Sequence, residues 1–152
     1  MSKSTAKPDA FPGVEDLLCF AVYSAGHAFN RVYKPLLDEL GLTYPQYLVM
    51  VALWTRDDQT VGELGEKLFL ESSTLTPLLK RLEATGNLSR SRDPSDERQV
   101  RVRLTKTGDA LRAKAREVPN CILEATGLSP AAMRELLADV SAIRARLMKA
   151  SK

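Results

Sequence analysis

Apolar positions first settle into a period at Leu18, Ala21, Ala25, Ala28, Phe29, Val32, Leu36 and Leu40, three or four residues apart for the most part. That spacing gathers them on one face, so a long amphipathic helix is predicted from Glu15 until Gly41 closes the segment. Pro35 lies inside it without an N–H to offer Arg31, which predicts a kink or break. Thr43 suits an N-cap ahead of Pro45, predicting a second helix that carries Tyr47, Leu48, Met50, Val51, Leu53 and Trp54. Arg56, Asp57 and Asp58 form a polar break. Thr60, with Glu63 as its capping-box partner, predicts a short helix from Val61 to Leu68. Ser72 or Ser73 caps a further helix that runs to Thr85 and stops at Gly86. The period then drops to two: Val100, Val102 and Leu104 alternate with Arg101 and Arg103. With Leu88 to Arg92 they predict a hairpin closed by Asp93-Pro94-Ser95-Asp96. Thr105 caps a long helix toward Ala125, interrupted at Pro119, and Ser129 with Pro130 opens a last helix.

These elements predict a mainly α fold with a small β-hairpin wing. Two short helices joined by a turn and followed by a hairpin form a winged helix-turn-helix lobe, placed at 43–105. The chain reads as one domain, 1–152, with a flexible arm at 1–13 containing Pro8 and Pro12. The helices at 14–42 and 106–152 present wide apolar faces that no other domain covers. Their simplest partner is a second copy, so they are expected to be the dimerisation platform of a homodimer.

At 152 residues and 44% hydrophobic, the chain can bury a core without disulfides, and its aromatic share of 6% leaves it rich in helix formers. The formal charge of +3 only permits a polyanion partner; placement says more. Lys80 and Arg81 fall on the second short helix, and Arg90, Arg92, Arg98, Arg101 and Arg103 on the hairpin. Ser72, Ser73, Thr74, Thr76 and Pro77 open that helix with hydroxyls and free N–H groups suited to base edges and phosphates in a major groove. Double-stranded operator DNA is the partner this pattern fits; the alternative is a charged face that only keeps the chain solvated. No apolar run nears the roughly 20 residues that span a bilayer, and the first residues lack the apolar stretch of a secretion signal. A cytoplasmic location without a membrane partner is expected.

Cys19 and Cys121 lie 102 positions apart, with only His27 as a further ligand of their kind. That is too sparse for a structural zinc site, and neither a metal nor another cofactor is expected. In a reducing cytosol the two are either inert core thiols or partners in a transient, regulatory bridge. His27 reads as structural.

The stretch Asp96-Glu97-Arg98-Gln99-Val100-Arg101-Val102-Arg103-Leu104-Thr105, completed by Gly108, resembles the wing signature of MarR-type regulators. Cys19, Tyr33 and Tyr44, with Tyr33-Lys34-Pro35-Leu36-Leu37-Asp38 and Gly41-Leu42-Thr43-Tyr44-Pro45-Gln46-Tyr47, resemble the organic-hydroperoxide-sensing OhrR subgroup, whose Cys-to-Tyr spacings of 14 and 25 they share. On spacing alone both tyrosines equally suit a core. The resemblance implies two winged helix-turn-helix lobes on a helical dimer platform, with Asp96 and Arg98 at the DNA-facing wing. It implies that Cys19 is the sensor thiol, hydrogen-bonded by Tyr33 and Tyr44 across the dimer, and that Cys121 resolves it as in the two-cysteine branch. An early helical position and the tyrosine hydroxyls would favour a thiolate, while Phe20, Val22 and Met50 would supply apolar surroundings for a hydroperoxide. The implied function is a repressor, not an enzyme. It binds palindromic operator DNA as a reduced dimer and is released when organic hydroperoxide oxidises Cys19, through an intersubunit Cys19–Cys121 disulfide. The rivals are a MarR-like repressor released by a small lipophilic or phenolic ligand, a thiol peroxidase, and a nucleoid protein without sequence preference.

Overall fold

The computed structural model describes residues 10–152, so most of the expected arm lies outside the described residues. A short turn at Val14–Asp16 leads into α1 (Leu18–Asp38), which starts three residues later than the periodicity suggests. The expected break at Pro35 does not occur: α1 runs on to Asp38. Pro35 forfeits one bond only a turn from the helix end, where few further bonds depend on it.

Gly41, at φ 68°, turns the chain into α2 (Tyr44–Thr55). Here the capping box is complete: Gln46 N–H donates to the Thr43 hydroxyl at 3.4 Å and Thr43 N–H to the Gln46 side chain at 3.0 Å. Thr60 caps α3 (Val61–Leu68) by accepting from Glu63 N–H, but its box is half-formed, because the Glu63 carboxylate goes to Arg56 at 2.8 Å. In α4 (Ser72–Ala84) the cap is Glu71, not Ser72 or Ser73. The Glu71 carbonyl already accepts from Thr74 and Leu75, which puts both serines inside the first turn.

β2 (Leu88–Arg92) and β3 (Val100–Leu104) form the expected hairpin, with Arg90 opposite Val102. A strand the sequence did not announce, β1 (Gln59–Thr60), pairs with the other edge of β3, giving the order β1-β3-β2. Thr105 caps α5 (Lys106–Ala115), and Ser129 caps α7 (Pro130–Ala150). The helix toward Ala125 is interrupted as expected, but ahead of Pro119 rather than at it. It breaks at Arg116 and Glu117, and Pro119 sits in the first turn of α6 (Val118–Thr126), where its missing N–H costs nothing.

The core joins the end of α1 to α2, α3, α4 and the sheet through Leu37, Met50, Leu53, Leu64, Leu75, Leu79, Leu82, Leu88 and Val102, all essentially inaccessible. Each such side chain contributes about 1.5–3 kcal/mol by leaving water. α7 buries no residue in the single chain, and α1 buries only Leu37. Among the described residues, no helix is long and apolar enough to cross a membrane.

Candidate nucleic-acid interface and thiol site

α4 divides cleanly by helical angle. Leu75, Leu78, Leu79 and Leu82 face the core, while Ser73, Thr76, Pro77 and Lys80 share the opposite stripe at i, i+3, i+4 and i+7. Ser72, Thr74 and Arg81 are exposed beside it. The turn before α4 is tight: a side chain at Gly65 would meet the Leu70 carbonyl, which lies 2.7 Å from where its Cβ would sit. Phe69 holds a left-handed φ of 56° there, with its ring half-exposed. Arg144, from α7, lies over that ring at 4.2 Å, and Met148 flanks the same turn.

On the wing, Asp96 grips Arg98 with both oxygens, at 3.0 and 3.2 Å, leaving the Arg98 side chain 90% exposed at the tip. These bonds, with one from the Arg98 N–H, hold the Asp96 carboxyl below its ordinary range. Arg92 is exposed and donates to the Glu97 carbonyl at 3.1 Å. Arg90 is engaged differently: its guanidinium reaches Glu83 of α4 at 3.1 and 3.3 Å, and its N–H donates to the same carboxylate at 2.9 Å. It fastens β2 to α4. Ser72, Thr76, Arg90 and Arg98 come together around a concave groove of about 370 Å³ between wing and α4; Lys80, Arg81 and Arg92 lie outside that lining.

Cys19 is exposed, as the second residue of α1, and Cys121 is partly buried on α6; both are free thiols. Tyr33 lies 14 residues further along the same helix, about 21 Å at 1.5 Å per residue. Tyr33 instead meets Tyr44, with ring centres 4.8 Å apart, and Tyr47 at 5.7 Å. Tyr47 escaped the sequence reading of the site; its position one turn after Tyr44 is the signal that could have found it. Burial, reinforced by the neighbouring phenols, pushes Tyr33 up to about 12, and burial likewise raises Tyr44 and Tyr47. Their hydroxyls therefore stay protonated donors at neutral pH.

Tyr33 and Tyr44 line an open groove of about 450 Å³ with Tyr23, His27, Phe29 and Asn30. His27 thus belongs to this groove, edge-on to Tyr23 at 4.5 Å. A second, apolar groove of about 400 Å³ lies between Ala25, Ala28, Phe29 and Val32 of α1 and Ile122 and Ala125 of α6. Met50, expected near the thiol, is fully buried in the core and offers Cys19 nothing in this chain, whereas Phe20 and Val22 are exposed. Among the described residues, no three His, Cys, Asp or Glu side chains are grouped to hold a metal ion.

The family model described as Transcriptional regulator SarA/Rot matches residues 31–114. The HTH-type transcriptional regulator TtmR of Methylorubrum extorquens is 48% identical over 134 residues, spanning 88% of this chain and 69% of that relative. The organic hydroperoxide resistance transcriptional regulator of Bacillus subtilis is 46% identical over 110 residues, or 72% of this chain and 75% of its own length. Among solved structures, AbfR of Staphylococcus epidermidis superposes with a TM-score of 0.75 at 33% identity, covering 90% of this chain and 94% of that one. Reduced AbfR bound to DNA gives 0.74 at 34% identity over 88% and 93% of the two chains; its disulfide form gives 0.61 at 36% over 86% and 91%.

Proposed function

We infer that this chain, which belongs to the MarR/SarA-type transcriptional regulators, is a repressor that holds palindromic operator DNA as a reduced homodimer and releases it when organic hydroperoxide oxidises Cys19. The observation that carries the reading is the separation on α1. An exposed thiol stands at the start of the helix, and Tyr33, with Tyr44 against it, stands about 21 Å along it. That separation favours a meeting of thiol and phenols between copies. With 14–42 and 106–152 as the platform, Cys19 of one protomer enters the Tyr33 and Tyr44 groove of its partner. The lobe at 43–105 then reads DNA. Ser72, Ser73, Thr74, Thr76, Pro77, Lys80 and Arg81 enter the major groove, while Arg92 and the Asp96–Arg98 pair engage the backbone beyond it. Arg90 serves mainly by holding β2 to α4.

The Cys19 thiolate attacks the distal oxygen of the hydroperoxide. An S–O bond forms, the O–O bond breaks, and the alkoxide leaves as alcohol after taking a proton. Cys121 of the partner subunit then attacks the sulfenic sulfur, forming S–S and expelling water. A disulfide needs Cα atoms within about 7 Å. Within one chain, α6 lies against 25–32 of α1, leaving Cys19 about 9 Å or more beyond that contact along the axis. That supports an intersubunit bridge. Closing it shifts the platform and re-aims two reading heads that must match half-sites about one DNA turn apart.

The test is binding of the reduced protein to DNA upstream of its own gene, with and without cumene hydroperoxide. The parent should release and recover with dithiothreitol, Cys19→Ser should stay bound, and Cys121→Ser should give no crosslinked dimer on a non-reducing gel. Release of Cys19→Ser by a phenolic ligand would favour the second reading, for which the aromatic groove along α1 offers a site.

A further inference from the structure

The corner Arg56-Asp57-Asp58 between α2 and β1 serves neither the thiol nor the DNA-facing stripe, yet it holds the strand that carries the wing. Arg101, the second residue of β3, donates from Nε to Asp58 Oδ1 at 2.7 Å, from Nη2 to the Asp58 carbonyl at 2.9 Å, and from Nη1 to Asp93 Oδ2 at 2.9 Å. The other oxygen of Asp93 accepts from the Ser95 N–H at 2.8 Å and the Ser95 hydroxyl at 2.6 Å, so the first turn of the wing loop hangs on the same carboxylate. Arg103 adds an ion pair to Asp58 at 3.2 Å, and Asp57 accepts from the Leu104 N–H at 2.8 Å. Asp58 keeps a left-handed φ of 56° at this corner, and Asp93 is only 6% exposed.

We propose that Arg101, clamped between Asp58 and Asp93, is the positioning residue of the wing: it does not touch DNA, and it sets the angle at which Arg98 does. A two-stranded ribbon is marginal by itself and twists freely, so its direction must come from contacts at its base. Arg98 lies three residues from Arg101, in the turn beyond the end of β3 and at most about 10 Å away. A swing of about 15° at the clamp moves the tip by up to ~2.6 Å, more than a hydrogen bond tolerates. Hydrogen bonds hold both carboxyls below their ordinary range, from Arg101 at Asp58 and chiefly from Ser95 at Asp93, and the bonds to the two carboxylates hold Arg101 above its own, so the clamp stays ionised across the physiological range.

This rests on the DNA-binding reading, and two measurements separate the fates of the two. The first is independent of DNA: in Arg101→Lys, amide hydrogen exchange at 94–98 should speed at least tenfold while core amides of α2 and α4 keep their protection. Unchanged exchange at the wing overturns the proposal. The second uses the sign of an electrostatic change. Asp93→Asn removes a negative charge and frees Arg101, so a simple phosphate contact would bind operator more tightly; the clamp predicts roughly tenfold weaker binding. Equal or tighter binding overturns it. In an Arg98→Ala background, Arg101→Lys should cost nothing further, because the contact it aims is already gone; additive losses would make Arg101 a DNA contact instead. Should Arg101→Lys melt as a whole, Asp58→Asn repeats the exchange measurement with the core intact.

Discussion

The lobe from α2 to β3 and the helices that flank it both carry apolar faces, yet they end in opposite states. In the lobe, Leu64, Leu75, Leu79 and Leu82 are inaccessible and the polar corners are tied into ion pairs. In α7, Leu136, Leu137, Val140 and Leu147 stand between 42 and 64% exposed, and α1 leaves Leu18, Phe20, Val22 and Phe29 likewise open. Exposed apolar side chains in this number are what an interface leaves on a single chain. The lobe is thus finished within one chain, whereas the flanking helices leave open the apolar surface that the proposed dimer would cover.

The comparison breaks most sharply at α7. Leu137→Glu should turn the dimer into a monomer by light scattering and weaken operator binding more than a hundredfold, with the lobe still folded; a dimer that persists would take α7 out of the interface. In the lobe, Leu79→Ala should instead cost about 2–5 kcal/mol of unfolding free energy from the cavity it leaves, read from the denaturant midpoint. A smaller loss would mean that α4 packs less tightly than its burial implies. Tyr33→Phe with Tyr44→Phe should preserve operator binding and slow Cys19 oxidation about tenfold in stopped-flow with cumene hydroperoxide. Unchanged oxidation would remove both phenols from the chemistry. The smallest effect concerns pH. Because Asp58 and Asp93 are held low, their contribution is present above the ordinary carboxylate value and is lost only as pH falls through their depressed values. Wing structure, followed by NMR chemical shifts, should therefore be the same at about pH 5 and 7; a titration between them would show the clamp to be weaker than its geometry.

What was legible in the sequence was local. Thr43, Thr60, Thr105 and Ser129 each cap a helix by accepting an N–H three residues on, a relation contained in four letters. The strand alternation at Val100, Val102 and Leu104 was equally readable. β1 was not, because two residues hold no period, and neither was the Asp58–Arg101 pair, whose partners are 43 positions apart. Arg90 looked like any other wing arginine until Glu83 was placed beside it. At the thiol site, the spacing of Cys19, Tyr33 and Tyr44 suggested a sensor only through its resemblance to a family. The single chain brings the tyrosines together and leaves the cysteine elsewhere; in the proposed dimer the missing contact comes from a second protomer.

The stacking of Arg144 on Phe69 gives α7 a mechanical meaning. From Pro130 to Met148 the helix is a stiff beam about 27 Å long. Its first part borders α1 and α6 at Leu136, and its far end lies beside the turn that presents α4. Were its first part anchored in the proposed dimer, a tilt of about 5° there would displace the far end by ~2.4 Å, so a motion small at the anchor would arrive at the turn before α4 amplified to the scale of a lost contact.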